Sequence, residues 1–179
     1  MLVIELAETV PVAVIERLRE LLGTLSARFE EKRVGEYDLL IRTESFGIAD
    51  VDEVDGHRPF LVSLMGPGIG DESIFRAEHP DEDDQKALIG FAPTHAVDVI
   101  ALANEPIDHI TTALLTVAIM EVTGGIANAE LAQGQRAIVD GLPGLIATKR
   151  TDWPTLPAAY GSAEFIKAWS RQSGFRLLT

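Results

Sequence analysis

The stretch "NEPIDHITTALLTVAIMEVTGG", Asn104 to Gly125, decides the fold. Asn104 reads as a helix N-cap, Glu105 and Pro106 fall in the first turn, and Asp108 sits near the positive end of the helix dipole. Gly124-Gly125 is a stop signal. From Leu114 to Val122 the segment is apolar nearly all round, so the helix must be largely buried rather than lie on the surface. Before it, "LIGFAPTHAVDVIALAN" (Leu88 to Asn104) carries the β-branched and apolar run of one or two central strands. After it, "GIANAEL" resumes as a strand. A strand, a buried helix and a strand therefore form the middle of the molecule.

Toward the N-terminus, "LVIEL" (Leu2 to Leu6) reads as a strand. "ETVPVAVIERLRELLGTLSARFEE" follows as one amphipathic helix, with Thr9 as N-cap and Pro11 in the first turn. Its apolar face is Val10, Val14, Ile15, Leu18, Leu22 and Leu25, and Gly23 weakens its end. "YDLLIRT" (Tyr37 to Thr43) and "RPFLVSLMG" (Arg58 to Gly66) read as strands, joined by a loop poor in packing residues. Toward the C-terminus, "LPGLIATKR" reads as a further strand and "DWPTLPAAYG" as a turn-rich connector. "SAEFIKAWSRQSG" is a short helix capped by Ser162, with Phe165, Ile166 and Trp169 facing inward, and "FRLLT" is a terminal strand or docked tail. The elements do not alternate strictly. The expected class is α+β: a mixed or antiparallel sheet of about six strands with about three helices packed on it. A chain of 179 residues that is 46% hydrophobic suits one domain over 1–179, with the acidic region of about 44–86 as an insertion or edge.

Charge is distributed unevenly. The formal net charge is −13, and residues 44–84 hold twelve acids against two bases, Arg58 and Arg76. The densest run is "EHPDEDDQK", with five carboxylates from Glu78 to Asp84. Phosphate backbones and anionic membranes would be repelled, so nucleic acid and membrane partners are excluded as expectations. A basic protein would be attracted and steered. There is no cysteine, hence no disulfide framework and no thiolate metal site. The opening residues lack a basic leader pattern and the longest apolar run is too short to span a bilayer, so the expected location is the cytoplasm.

Motifs for chemistry are sparse. "GPGIGDES" (Gly66 to Ser73) has glycines but no P-loop lysine, and Asp71 and Glu72 would repel a phosphate. "DEDD" (Asp81 to Asp84) lacks the alternating ligands, central glycine and distal glutamate of a calcium loop. His57, His79, His95 and His109 show no zinc spacing, and no serine lies in a nucleophile elbow. No cofactor, metal or catalytic residue is therefore assigned. Asp108-His109 is the closest acid–base pair in sequence, though neighbours on a helix point apart. The late aromatics Trp153, Tyr160, Phe165, Trp169 and Phe175 read as core packing, with Trp153 in its proline-rich connector as the one suited to anchor a partner.

"LPG" (Leu142 to Gly144) followed by "YGSAEFIKAWSRQSGFRLLT" resembles the closing signature of an uncharacterised bacterial domain family. The central "VDVIALANEPIDHITTALLTVAIMEVTGGIANAEL" looks like that family's strand–helix–strand, so the likeness covers the C-terminal half. In size, acidity and layout the chain is also similar to immunity proteins that neutralise secreted bacterial toxins. The function expected from charge and likeness is non-enzymatic: a cytoplasmic immunity protein that occludes the basic cleft of a cognate toxin. Its partner-binding surface would comprise Asp50, Asp52, Glu53, Asp55, Asp71, Glu72, Glu78, Asp81, Glu82, Asp83, Asp84 and Trp153. The alternatives are a small-ligand or hydrolytic domain with a pocket near Asp108 and His109, and an oligomerisation module built on the first helix.

Overall fold

A computed structural model describes residues 2–48, 56–79, 82–149 and 156–178, with backbone only at 82–84. Its strands are β1 (Leu2–Leu6), β2 (Ser26–Arg33), β3 (Glu36–Arg42), β4 (His57–Met65), β5 (His95–Ala101), β6 (Ile126–Glu130), β7 (Leu145–Lys149) and β8 (Ala158–Gly161). Its helices are α1 (Val12–Leu25), α2 (Glu72–Glu78), α3 (Glu82–Ile89), α4 (Pro106–Thr123), α5 (Gln135–Val139) and α6 (Ala163–Ser170). The strands form one sheet in the order β2-β3-β4-β5-β1-β6-β8-β7, and every neighbouring pair is antiparallel.

The class is α+β, as the sequence indicates, but with eight strands and six α-helices among the described residues instead of about six and three. The short helix α5 after β6 is one addition, and three further differences supply the rest. The residues after Leu25 leave the helix: Ser26 is already extended (φ −106°, ψ 143°) and opens β2. The acidic region folds into α2 and α3 and also contains β4, which is hydrogen-bonded on both sides, to β3 and β5. The proline-flanked "AAYG" makes β8, paired to β6 and β7.

Strand alternation divides the side chains between two faces. Leu2, Ile4 and Leu6 of β1, with Val97 and Val99 of β5 and Ala127 and Ala129 of β6, enter the main core. There they meet Leu18 and Leu22 of α1, Leu115 and Ile119 of α4, and Phe165, Ile166 and Trp169 of α6. Burying each such aliphatic side chain contributes about 1.5–3 kcal/mol, so this face dominates stability. α4 packs on α1, α6, β1 and β5, which is why its sequence is apolar on most sides. Its buried threonines remain hydrogen-bonded: the hydroxyls of Thr111, Thr112 and Thr116 donate to the carbonyls of Ile107, Asp108 and Thr112 at 2.8, 2.6 and 2.8 Å. Trp169 stacks on Phe165, meets Phe175 edge-on, and donates its indole N–H to Gln135 at 3.1 Å.

The opposite face carries two smaller clusters. Met65, Phe75 and Ala96 gather with Val3, and Ile89, Ala158 and Tyr160 gather with Phe91 and Ile126. α2 and α3 supply Phe75 and Ile89, so these acidic helices cover the second face only in part.

Caps differ in detail from the sequence reading. Pro11, not Thr9, is the N-cap of α1, and the Thr9 hydroxyl instead lies 2.8 Å from His95 Nε2. Glu105, not Asn104, caps α4, in a reciprocal capping box with Asp108. The glycine stop after α4 is dictated sterically: Gly125 has φ +95°, and a Cβ there would sit 2.7 Å from the Glu5 carbonyl oxygen and from Ile4 and Leu6 side chains. Gly125→Ala is expected to destabilise the fold by about 2–3 kcal/mol, measured by urea unfolding, because both the backbone region and the space forbid a side chain. A loss below about 0.5 kcal/mol, the range of neutral surface changes, would contradict this packing.

Candidate functional site

The second face is marked by polar residues embedded in otherwise apolar strands. Cross-strand register sets Ser63 of β4, Asp98 of β5, Val3 of β1, Asn128 of β6 and Tyr160 of β8 in one continuous row. Glu5 is two residues along β1 from Val3 and shares its face. None of these side chains can join the main core, because alternation sends them to the other side.

Glu5 is fully buried and carries two hydrogen bonds. Its Oε1 accepts from Asn128 Nδ2 at 2.8 Å, and its Oε2 lies 2.8 Å from His79 Nε2. His79 Nδ1 lies 2.8 Å from the Phe75 carbonyl oxygen. The Phe75 carbonyl can only accept, so Nδ1 carries a proton, and Nε2 pairs the ring with the Glu5 carboxyl group. Burial opposes a charge on the ring, but the hydrogen bond and charge of Glu5, the Phe75 carbonyl and Glu78 outweigh it and raise the His79 pKa. The ring stacks on Phe75 with centroids 4.3 Å apart. This pair clamps the end of α2 onto β1.

Asp98 is 4% exposed, and its Oδ1 has no hydrogen-bond partner. Burial, reinforced by the charges of Glu78 and Glu5, pushes its pKa up to about 7. Glu78 stands at the rim with its carboxyl partly desolvated, which raises its pKa, with the charge of Glu5 adding to the effect. Gln85 of α3 hydrogen-bonds the Tyr160 hydroxyl, while its own buried Oε1 lacks a partner. A cleft of about 530 Å³ opens here, lined by Val3, Glu5, Ile100, Asn128 and Glu130 from the strands, Glu78 and His79 from α2, and Leu156 and Leu178 beside them. It combines apolar walls with excess carboxylate.

The sequence-derived surface residues fare differently. Asp71 is the N-cap of α2, accepting from the backbone N–H of Ser73 and Ile74 at 3.0 and 3.1 Å, and lies 3.8 Å from Arg33. Glu72 pairs with Arg76 one turn on. These two carboxylates are therefore partly compensated within the chain, whereas Glu78 lines the cleft. Asp50, Asp52, Glu53, Asp55, Asp81 and Trp153 lie outside the described residues, as do the side chains of Glu82, Asp83 and Asp84, although the backbone of 82–84 opens α3.

Asp108 and His109, the residues named for an alternative pocket, are both buried. Asp108 is fully buried and held bidentately by Arg58, with Nε to Oδ1 at 2.6 Å and Nη2 to Oδ2 at 2.7 Å. Arg58 also reaches Glu105 at 3.0 Å. His109 is buried, and burial followed by the charge of Arg176 lowers its pKa, so it stays neutral. Neither residue borders the cleft. His95 is likewise structural, with its ring nitrogens near Thr9, Thr94 and the Pro67 carbonyl.

Sequence reading assigned no site role to Glu5, Asp98 or Asn128. The signal existed: "LVIEL", "HAVDVIA" and "IANAE" each place a lone polar group inside an apolar strand. Among the described residues no cluster of three or more His, Cys, Asp or Glu is disposed to hold a metal ion, and no helix is long and apolar enough to cross a membrane. No curated protein and no solved structure matches the chain. The model of a family of unknown function, DUF6368, matches residues 1–179 from end to end, and the chain belongs to that family.

Proposed function

We propose that the chain is a non-enzymatic binding protein that docks a basic protein partner through its second sheet face, in the manner of an immunity protein occluding the cationic cleft of a toxin. The observation that supports this reading most is convergence. The acidic run that begins at Glu78 leads from the same helix end that delivers His79 to the cleft, where Glu5 and Glu130 add carboxylates from two strands. Two of the residues first assigned to the surface, Asp71 and Glu72, contribute less because arginines offset them. The cleft is also better suited to binding than to hydrolysis. His79 has both ring nitrogens engaged, so it is not free to abstract a proton.

Two measurements test this. Where the product of a neighbouring gene arrests growth, co-expression of this chain is expected to restore it, and failure to do so removes the toxin-neutralising reading. Changing Asp81, Glu82, Asp83 and Asp84 to their amides is expected to slow association with that partner about tenfold or more at low salt and to flatten its salt dependence, with the melting temperature unchanged. Identical association rates would overturn the electrostatic part.

A further inference from the structure

The cleft has a chemical signature more specific than negative charge. Val3, Ile100 and Leu156 give it apolar walls, and Glu5, Glu78 and Glu130 supply carboxylates. Asp98 lies on the same face, two residues from Ile100 along β5 and directly across from Val3 on β1. Its Oδ1 is more than nine-tenths buried and unpartnered. Gln85 Oε1 is a second buried acceptor without a donor, beside Tyr160 in the adjoining strand row. The hydrogen-bonded ion pair of His79 is with Glu5. Buried acceptors left in this way cost free energy until a donor reaches them. The missing complement is a multi-donor cation on an apolar stem.

We propose that this cleft receives one arginine or lysine side chain from the basic partner, its methylene stem along Val3, Ile100 and Leu156, its cationic head among the lining carboxylates Glu78 and Glu130, and Asp98, across from Val3, as the buried acceptor it reaches. The inference rests on the partner-binding reading and assigns the anchor point within it. An arginine fits the acceptor set best, because its planar fork offers five donors where lysine offers three. The insertion of one long side chain into a desolvated pocket is the usual construction of an interface hot spot, with rim acids governing encounter rather than residence.

The test uses the full chain and defined probes: N-acetyl-arginine methylamide, N-butylguanidinium and the neutral comparator 1-pentanol, each titrated while backbone amide NMR shifts are followed. Saturable shifts at Val3, Glu5, His79, Asp98, Ile100 and Asn128 are expected with both guanidinium probes and not with pentanol. Asp98→Asn is expected to weaken binding about tenfold or more, the scale of one charged hydrogen bond. Glu121→Gln, a change in the exposed pair of Glu121 with Lys167, is expected to leave it unaltered. Because Asp98→Asn removes a buried charge, it should melt no lower than the parent at pH 8, which separates lost binding from lost folding. Equal binding of pentanol, shifts that miss the cleft, or undiminished binding by Asp98→Asn would overturn the proposal. Binding of butylguanidinium without the capped arginine would assign the cleft to a free small cation and overturn the docking role. If co-expression rescue succeeds equally with Asp98→Asn and Glu5→Gln, the partner reading stands and this anchor falls.

Discussion

Replacing Arg58 with methionine is expected to cost the fold about 3–5 kcal/mol, seen as a lower urea midpoint with little change in slope. The reason is the carboxylate left behind. Asp108 has no solvent exposure, and Arg58 supplies two of its hydrogen bonds at 2.6 and 2.7 Å. Removing one partner of a buried ion pair strands the other charge in a medium that solvates it poorly. Asp108 also accepts from the Glu105 backbone N–H at 2.8 Å, so it serves the capping box of α4 at the same time. The double change Arg58→Met with Asp108→Asn is expected to recover more than half of the loss. Asparagine can still cap through its amide oxygen, and the stranded charge is gone. If the double variant is as unstable as the single one, the cost comes from packing of the arginine stem and not from electrostatics. Arg58 was counted among the few bases of an acidic surface region, yet its guanidinium joins β4 to the start of α4 from the interior side.

The second large effect concerns pH. Asp98 titrates near 7 in the folded chain, above the ordinary value of 3.8 that it regains on unfolding. Between those values the folded state holds a proton that the unfolded state has released, so stability falls as pH rises from about 4 to about 7 and then stays reduced. A shift of that size corresponds to up to about 4 kcal/mol. His79 acts in the same direction. Its raised pKa gives stability that is complete below 6.5 and is lost as pH climbs through the folded value. His109 opposes both, because its lowered pKa withdraws stability as pH drops below 6.5. The net expectation is a maximum in weak acid and a lower melting temperature at pH 8 than at pH 6. Asp98→Asn should raise the melting temperature at pH 8 and flatten the profile. A wild-type profile that rises from pH 6 to 8 would show that Asp98 is ionised and stabilised in the folded chain.

Much of the frame was legible where side-chain period and burial agree. β1, β4, β5 and β6 announce themselves as short apolar runs, and the uniform hydrophobicity of α4 correctly demands burial on several sides. β2 was hidden because Leu25 and Phe29 extend the spacing of α1 while Gly23 is too weak a breaker to show where the helix stops. α2 was obscured by charge, although Asp71 followed by Ser73 is an N-cap pattern that local hydrogen bonds bear out. The cleft was illegible for a different reason. Its members come from β1, β5, β6 and the end of α2, and only the strand order places Glu5 beside Asn128 and within reach of His79.

That strand order constrains how the chain assembles. β1 precedes the other described strands in the chain, yet it occupies an inner position: Val3 is opposite Asp98 on one side and Asn128 on the other. β2, β3 and β4 form a consecutive meander that needs no distant segment. A ribosome therefore releases a ribbon of locally paired strands early, while β1 waits unpaired until its two flanking strands have emerged. Closure across so long a separation is slow by the entropy of the loops involved, and the carboxylate of Glu5 keeps that waiting strand from being wholly apolar on both sides.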